Sequence, residues 1–462
     1  MTSISKTNEN GYTTPGFCAL FIKRFGVNRL LRQVNATKEK GVSAYTLFAY
    51  LVGLVFSGKN LYTVLELCHE KIGFGKDTVY RFLNKSAAHW EKFILRLSCA
   101  VVPEVDKLTA DDRKSVLIID DSPYYRNRSK RVEMLSWCYD HVRRAYYKGL
   151  TLLTLGWSDG QTFIPVGFRL LASGNDKNLL EGPHVKKDGR AIATKRRDDA
   201  RKEKPALVLE MLKAVVGTAT QAKYVLFDSW FASPSSLLSI TELGFHVVAR
   251  LKNHENYRYS CTGKDMSLSQ IYKAHRKRRG MSRYLLSVDV TIRHKAFAEM
   301  IPAKLVFVRD RSDRKKWIAL VSTDVSLSED EVISLYGKRW DIETYHKMIK
   351  SYLRLAKEFQ TRSFDAMTAH TAIVLTRYTL LSIENRENKD GRSFGGLFYA
   401  CCKELDDITF EYALALIIEA LQNWLEDRLC LEETCLGELV GQFIASLPIY
   451  VKDRMTLSMC ES

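Results

Sequence analysis

The chain has 462 residues and is 46% hydrophobic, enough to bury sizeable cores and too long for one ordinary domain. Seventy Lys and Arg against 53 Asp and Glu leave a formal net charge of +17. That balance points to a polyanionic partner, because phosphate neutralisation and counterion release favour clustered cations. The ten cysteines are scattered without a Cys-x-x-Cys pair, which argues for free thiols in a reducing compartment over zinc or a disulfide framework. The polar N-terminus is no signal peptide. The most apolar run, 44–56, is shorter than the ~20 residues a membrane span needs, so a soluble intracellular protein is expected.

In chain order, residues 1–108 read as helical and as a DNA-binding domain. An apolar helix around Ala44–Phe56 is followed by a second at Leu61–His69. After a turn at Gly73 and Gly75, Asp77 and Thr78 can cap a third helix through Leu83. Lys76, Thr78, Tyr80 and Arg81 would suit a helix-turn-helix reader, although an ordinary helical hairpin fits as well.

The pattern then changes. Ser-Val-Leu-Ile-Ile (115–119) is a buried strand stopped by Asp120-Asp121-Ser122-Pro123. The basic segment 126–131 leads to runs at 146–157 and 162–171, separated by Ser158-Asp159-Gly160, a hairpin signal. A basic stretch, 186–204, reads as structureless; Pro205 then opens a helix. Residues 223–227 form a strand ending at Asp228, Ser233-Pro234 starts a helix, and 245–251 is a further strand. A basic, β-rich insertion follows, densest in charge at Arg276-Lys277-Arg278-Arg279. A long helix is expected from about Ser328 through Lys350, and amphipathic helices at 367–383 and 410–429. The order βββ-α-β-α-β, insertion, α predicts an α/β fold with a mixed sheet in the ribonuclease-H-like arrangement. The expected domains are 1–108, a catalytic core at 109–251 and 324–385 interrupted by the insertion 252–323, and a helical C-terminal region, 386–462, suited to dimerisation.

Three acids share a positional logic. Asp121, or its neighbour Asp120, ends the first strand; Asp228 ends the fourth; Glu343 lies on the closing helix. In such a sheet those strand ends are adjacent, and three carboxylates there stay ionised together by coordinating hard divalent cations. Two Mg²⁺ ions about 3.5–4 Å apart, for which Mn²⁺ could substitute, would suit in-line phosphoryl transfer. At about 100° per residue, Tyr336, Arg339, Glu343 and Lys350 fall within roughly a 60° stripe, fit to hold a metal beside a phosphate. Lys195, Arg196, Arg197 and the cluster Arg276, Lys277, Arg278, Arg279 are expected to hold DNA backbone.

Tyr336-x-x-Arg339-x-x-x-Glu343-x-x-x-x-x-x-Lys350 resembles the YREK signature of the DDE transposases of bacterial insertion sequences, the insertion-sequence-four type. Ile-Ile-Asp-Asp-Ser and Leu-Phe-Asp-Ser-Trp-Phe-Ala are similar as well, and the likeness spans about residues 110–385. It implies that Asp121, Asp228 and Glu343 bind the metals and that Tyr336, Arg339 and Lys350 contact DNA phosphates. It further implies that Trp317 and Trp340 stack on a flipped base. Strand alternation turns the members of the Asp doublet to opposite faces, and Asp121 is the favoured ligand. The implied activity is cut-and-paste transposition on double-stranded DNA, through a hairpin, by a homodimer acting on terminal inverted repeats in the bacterial cytoplasm. A non-catalytic DNA-binding protein, or a nuclease without strand transfer, is the alternative.

Overall fold

The computed structural model describes residues 16–402 apart from 59, 64–72, 111, 185–187, 279, 281, 311, 312, 314, 360 and 388–392, and beyond 402 only 421, 441–443 and 445. The expected helices at 61–69 and 410–429, and Arg279, lie wholly or largely outside the described residues.

Helices α1 (Gly16–Arg24), α2 (Val27–Gln33), α3 (Ala44–Leu54), α4 (Lys76–Leu83) and α5 (Trp90–Asp106) form the N-terminal region. Ser43 caps α3 by accepting from the Thr46 backbone N–H at 3.0 Å. The last long helix, α12 (Phe364–Glu387), is buried from Phe364 through Ile383 and packs against α3, α4 and α5. The amphipathic reading of 367–383 therefore does not hold: this helix is buried all round, its polar side chains included. Its Arg377 donates to the carbonyls of Leu51 and Val52, so the N-terminal helices close over the same core.

β1 (Val116–Tyr125) runs straight through the Asp doublet, where the sequence suggested a stop. Beyond Ile118 it has no partner on one side among the described residues, the setting in which Pro123 is tolerated. β2 (Ser136–Asp140) was not expected; β3 (Ala145–Ser158) and β4 (Phe163–Leu171) match the hairpin reading, and β3 is long enough to pair β1 along one edge and both β2 and β4 along the other. β5 (Tyr224–Phe227) and β6 (His246–Leu251) are parallel to β1. The order β4-β3-β1-β5-β6 is that of a ribonuclease-H-like sheet.

The insertion continues this sheet. β7 (Tyr259–Cys261), β8 (Lys264–Met266), β9 (Leu286–Ile292), β10 (Ile301–Arg309) and β11 (Trp317–Ser322) extend it, with β11 antiparallel to β6. The stretch expected to lack structure contains α6 (Ile192–Asp199), followed by α7 (Lys204–Val215). Further on come α8 (Pro234–Glu242) and α9 (Leu268–Ala274). The expected single closing helix is two: α10 (Glu329–Gly337), opened by a Ser328–Glu331 capping box, and α11 (Trp340–Ser351). Between them the Lys338 and Arg339 amides bond three residues back, a tightened turn at Gly337 that leaves both residues right-handed. No helix among the described residues is long and apolar enough to cross a membrane.

Candidate active site

The parallel register pairs Ile118 with Leu226 and stops there. Two residues further along stand Asp120, within β1, and Asp228, just past the end of β5, so continued alternation turns both to the face of that last pair. Helix α11 packs on this face of β1: His346 Nε2 lies 3.8 Å from Asp120, and Lys350 Nζ donates to Ser122 Oγ. Asp121 points the other way and pairs at 3.0 Å with Lys204, at the start of α7. The acid facing the closing helix is therefore Asp120, whereas Asp121, the ligand favoured from the sequence, faces Lys204.

Burial, together with the neighbouring carboxylates Asp121 and Asp228, pushes the Asp120 carboxyl up to about 7, with the Arg339 charge opposing. Burial and Lys350 push His346 down to about 3, and neither of its ring nitrogens has a hydrogen-bond partner. Burial lowers Lys350 to about 8, against the pull of Asp140 and Asp120. Carboxylates that repel one another thus stand beside a neutral imidazole, which keeps one ring nitrogen as an acceptor. The donors suit a hard divalent cation. Glu343 is held by Arg339 through a short ion pair, and among the described residues no three metal-ligating side chains are gathered as they stand. Asp120 and Asp228 are thus brought together, with Glu343 poised on the adjacent helix.

Tyr336 and Arg339 remain neighbours across the α10–α11 junction, the guanidinium carbon 5.8 Å from the ring centroid. Lys350 lies over the Tyr125 ring at 5.8 Å. The two tryptophans differ. Trp317 is half-buried, stacked on Tyr272 at 4.9 Å and set edge-on to Phe307 at 5.1 Å, whereas Trp340 is 65% exposed.

The first basic cluster needs correction. Arg196 and Arg197 are buried, not DNA-facing. Arg197 spans Glu133 and Asp365 at 2.6 and 2.9 Å, and Arg196 pairs with Glu91 and Asp365. Their charges join α6 to the foot of α12; only Lys195 of the three faces solvent. In the second cluster Arg276 and Arg278 are exposed, Lys277 lies over Tyr272 at 4.7 Å, and Arg278 stacks over Tyr284 at 4.3 Å.

Sequence reasoning gave no role to Ser122 or Trp230, and placed Lys204 only at the end of a basic stretch expected to hold DNA backbone. Matching the apolar runs before each acid, Ile-Ile-Asp120 and Leu-Phe-Asp228, would have put Asp120 in register.

The large mixed sheet, with its β4-β3-β1-β5-β6 order and flanking helices, is that of a ribonuclease-H-like nuclease fold. Residues 34–312, more than half the chain, match the model of the DDE superfamily endonucleases. The protein belongs to that family. The matched segment holds both members of the Asp doublet and Asp228, and ends before α11. No curated protein matches the chain.

Proposed function

We propose that the protein is a cut-and-paste DNA transposase of the insertion-sequence-four type, acting as a homodimer on the inverted repeats at the ends of its element. The reading rests on Asp120 and Asp228, each two residues beyond the last β1–β5 pair, beneath the helix that carries Glu343 and Lys350. Mg²⁺ or Mn²⁺ held by Asp120, Asp228 and Glu343 would supply activation of the attacking oxygen and neutralisation of the leaving one.

The chain's own groups do the rest. Arg339 and Lys350 hold the phosphate, and Tyr336 supports the guanidinium. Drawing Arg339 to a phosphate frees Glu343 to turn toward the acid pair. Neutral His346 keeps the ground beside Asp120 free of a competing fixed charge. Exposed Trp340 is the better placed of the two tryptophans to receive a flipped base. Hydrolysis frees a 3′-hydroxyl at each end; that hydroxyl attacks the opposite strand to give a hairpin and, once this is resolved, attacks target DNA.

The test is incubation with Mg²⁺ or Mn²⁺ and duplex DNA carrying the repeats that flank the gene. A metal-dependent nick lost in Asp228→Asn, with a joined donor–target product, is expected. Binding without any nick overturns the catalytic reading, and nicking without joining reduces it to a nuclease.

A further inference from the structure

Beside the active site lies an aromatic surface that neither the carboxylate chemistry nor the closing helix uses. Trp137 and Tyr139 of β2 and Tyr146 of β3 are 40%, 43% and 68% exposed, and Trp230 is 52% exposed. Tyr139 and Tyr146 are directly opposed in the β2–β3 ladder, with ring centroids 5.1 Å apart. From Tyr139 the row passes to His141 at 5.0 Å and from His141 to Trp230 at 5.3 Å. It ends at the site itself. The Trp230 amide donates to Asp228 at 2.9 Å, and Lys204, the partner of Asp121, lies 5.3 Å from the Trp230 ring centroid.

Four large rings left in water along one row call for an occupant. The charge around them selects it. Exposed Arg143 and Arg144 close the hairpin, and Lys148 stands opposite Trp137. The nearby acid, Asp140, is turned inward, accepting from Tyr125 at 2.6 Å and from the amides of Val142 and Arg143. Rings interleaved with cations suit stacked bases with a phosphate backbone alongside. A second copy meeting this face about a two-fold axis would set like charges against each other.

We propose that the outer face of the β2–β3 hairpin, continued through His141 and Trp230, is a stacking platform for the unpaired nucleotides of a DNA strand at the active site; this rests on the DNA-processing reading above. Same-face residues on a strand are roughly 6.5–7 Å apart, about twice the 3.4 Å rise along one strand of a duplex. Bases must therefore leave their own stack to occupy successive rings. A paired strand cannot do so; a strand opened next to the scissile phosphate can.

The test uses the full chain in EDTA, so that binding is read without chemistry. The probes are a labelled oligothymidylate of about 12 nucleotides, within the range of single-strand site sizes, and a duplex of equal length. Trp230→Ala and Tyr139→Ala are each expected to weaken single-strand binding about 5- to 150-fold, to leave duplex binding within about twofold, and to be largely rescued by Trp230→Phe and Tyr139→Phe. Circular dichroism checks the fold; Tyr146→Ala, at the most exposed ring, substitutes if either variant unfolds. Parental single-strand affinity in the variants, an equal loss for duplex, or no single-strand binding by the parent overturns the platform. A shift in sedimentation without a change in oligonucleotide binding makes the face a protein interface and equally overturns it. Failure of the nicking assay with this binding intact would refute the catalytic reading alone.

Discussion

Asp120 and Asp228 occupy equivalent places: each stands two residues beyond Ile118 and Leu226, the last pair of the parallel β1–β5 ladder. The two acids are close enough for the Asp228 charge to help raise the Asp120 carboxyl. Asp121, one residue on, belongs to the opposite face and to Lys204.

This assigns unequal roles to two adjacent, chemically identical side chains. Asp120→Asn should reduce metal-dependent nicking by about 10³-fold or more, the loss of some 4 kcal/mol of transition-state stabilisation. Asp121→Asn, which breaks a half-exposed ion pair, should leave it within about tenfold. Single-turnover cleavage of end-containing duplex by the two variants is the check; equal loss would refute the unequal roles, and a larger loss in Asp121→Asn would return the first ligand to Asp121.

The basic clusters should separate by assay. Arg197→Met leaves Glu133 buried without its counter-charge, and Asp365 with Arg196 alone, and should destabilise the fold by about 3–5 kcal/mol, read from urea unfolding. If Lys195 and Arg276 each neutralise one phosphate, changing either to Ala should leave the urea midpoint in place. Each should flatten the slope of log K against log salt by about one unit.

A buried triad ties α12 to the segment after α11. Arg377 donates to Glu358 at 2.8 and 3.0 Å, and His370 lies 3.2 Å from the same carboxylate. Burial opposes ionisation of Glu358, yet the Arg377 charge prevails and holds it below the usual 4.5. Burial holds His370 below its usual 6.5. Both effects destabilise in acid. Below about 6.5 the unfolded chain protonates His370 while the fold does not, and the Glu358 contribution, complete above about 4.5, is lost as pH falls through its lower folded value. Urea midpoints should fall from about pH 6.5 downward, and His370→Gln should remove the upper part of that fall.

Gly149 lies where β3 crosses the far end of β1. A β-carbon there would sit 2.2 Å from the Tyr124 carbonyl oxygen and 3.2 Å from the Arg126 nitrogen. Both are backbone atoms and cannot swing aside. Gly149→Ala should destabilise by about 1–3 kcal/mol, seen as a lower urea midpoint.

The sheet's catalytic half was legible because its strands are apolar runs punctuated by Asp-Gly and Ser-Pro signals. β2 was not, since Ser-Trp-Cys-Tyr-Asp is a short edge strand with its aromatic residues facing water. The stripe on the closing helix could be read from helical spacing, whereas the break after Gly337 could not: Lys338 and Arg339 keep helical dihedrals and differ only in their bonding. Arg196 and Arg197 show the limit of charge counting. An arginine on a DNA surface and one that spans two buried acids look alike in a basic run, and only the fold of α6 onto α12 tells them apart.

Because β11 is hydrogen-bonded to β6, and β6 to β5, the insertion forms one continuous slab with the strand that leads to Asp228. Such a slab transmits torque. A load applied at its outer strands by a bound duplex would reach the acid pair as a change of twist, not as the swing of a hinged arm. The insertion would then work as a lever arm, and its stiffness would set how accurately a distant grip on DNA fixes the phosphate to be cut.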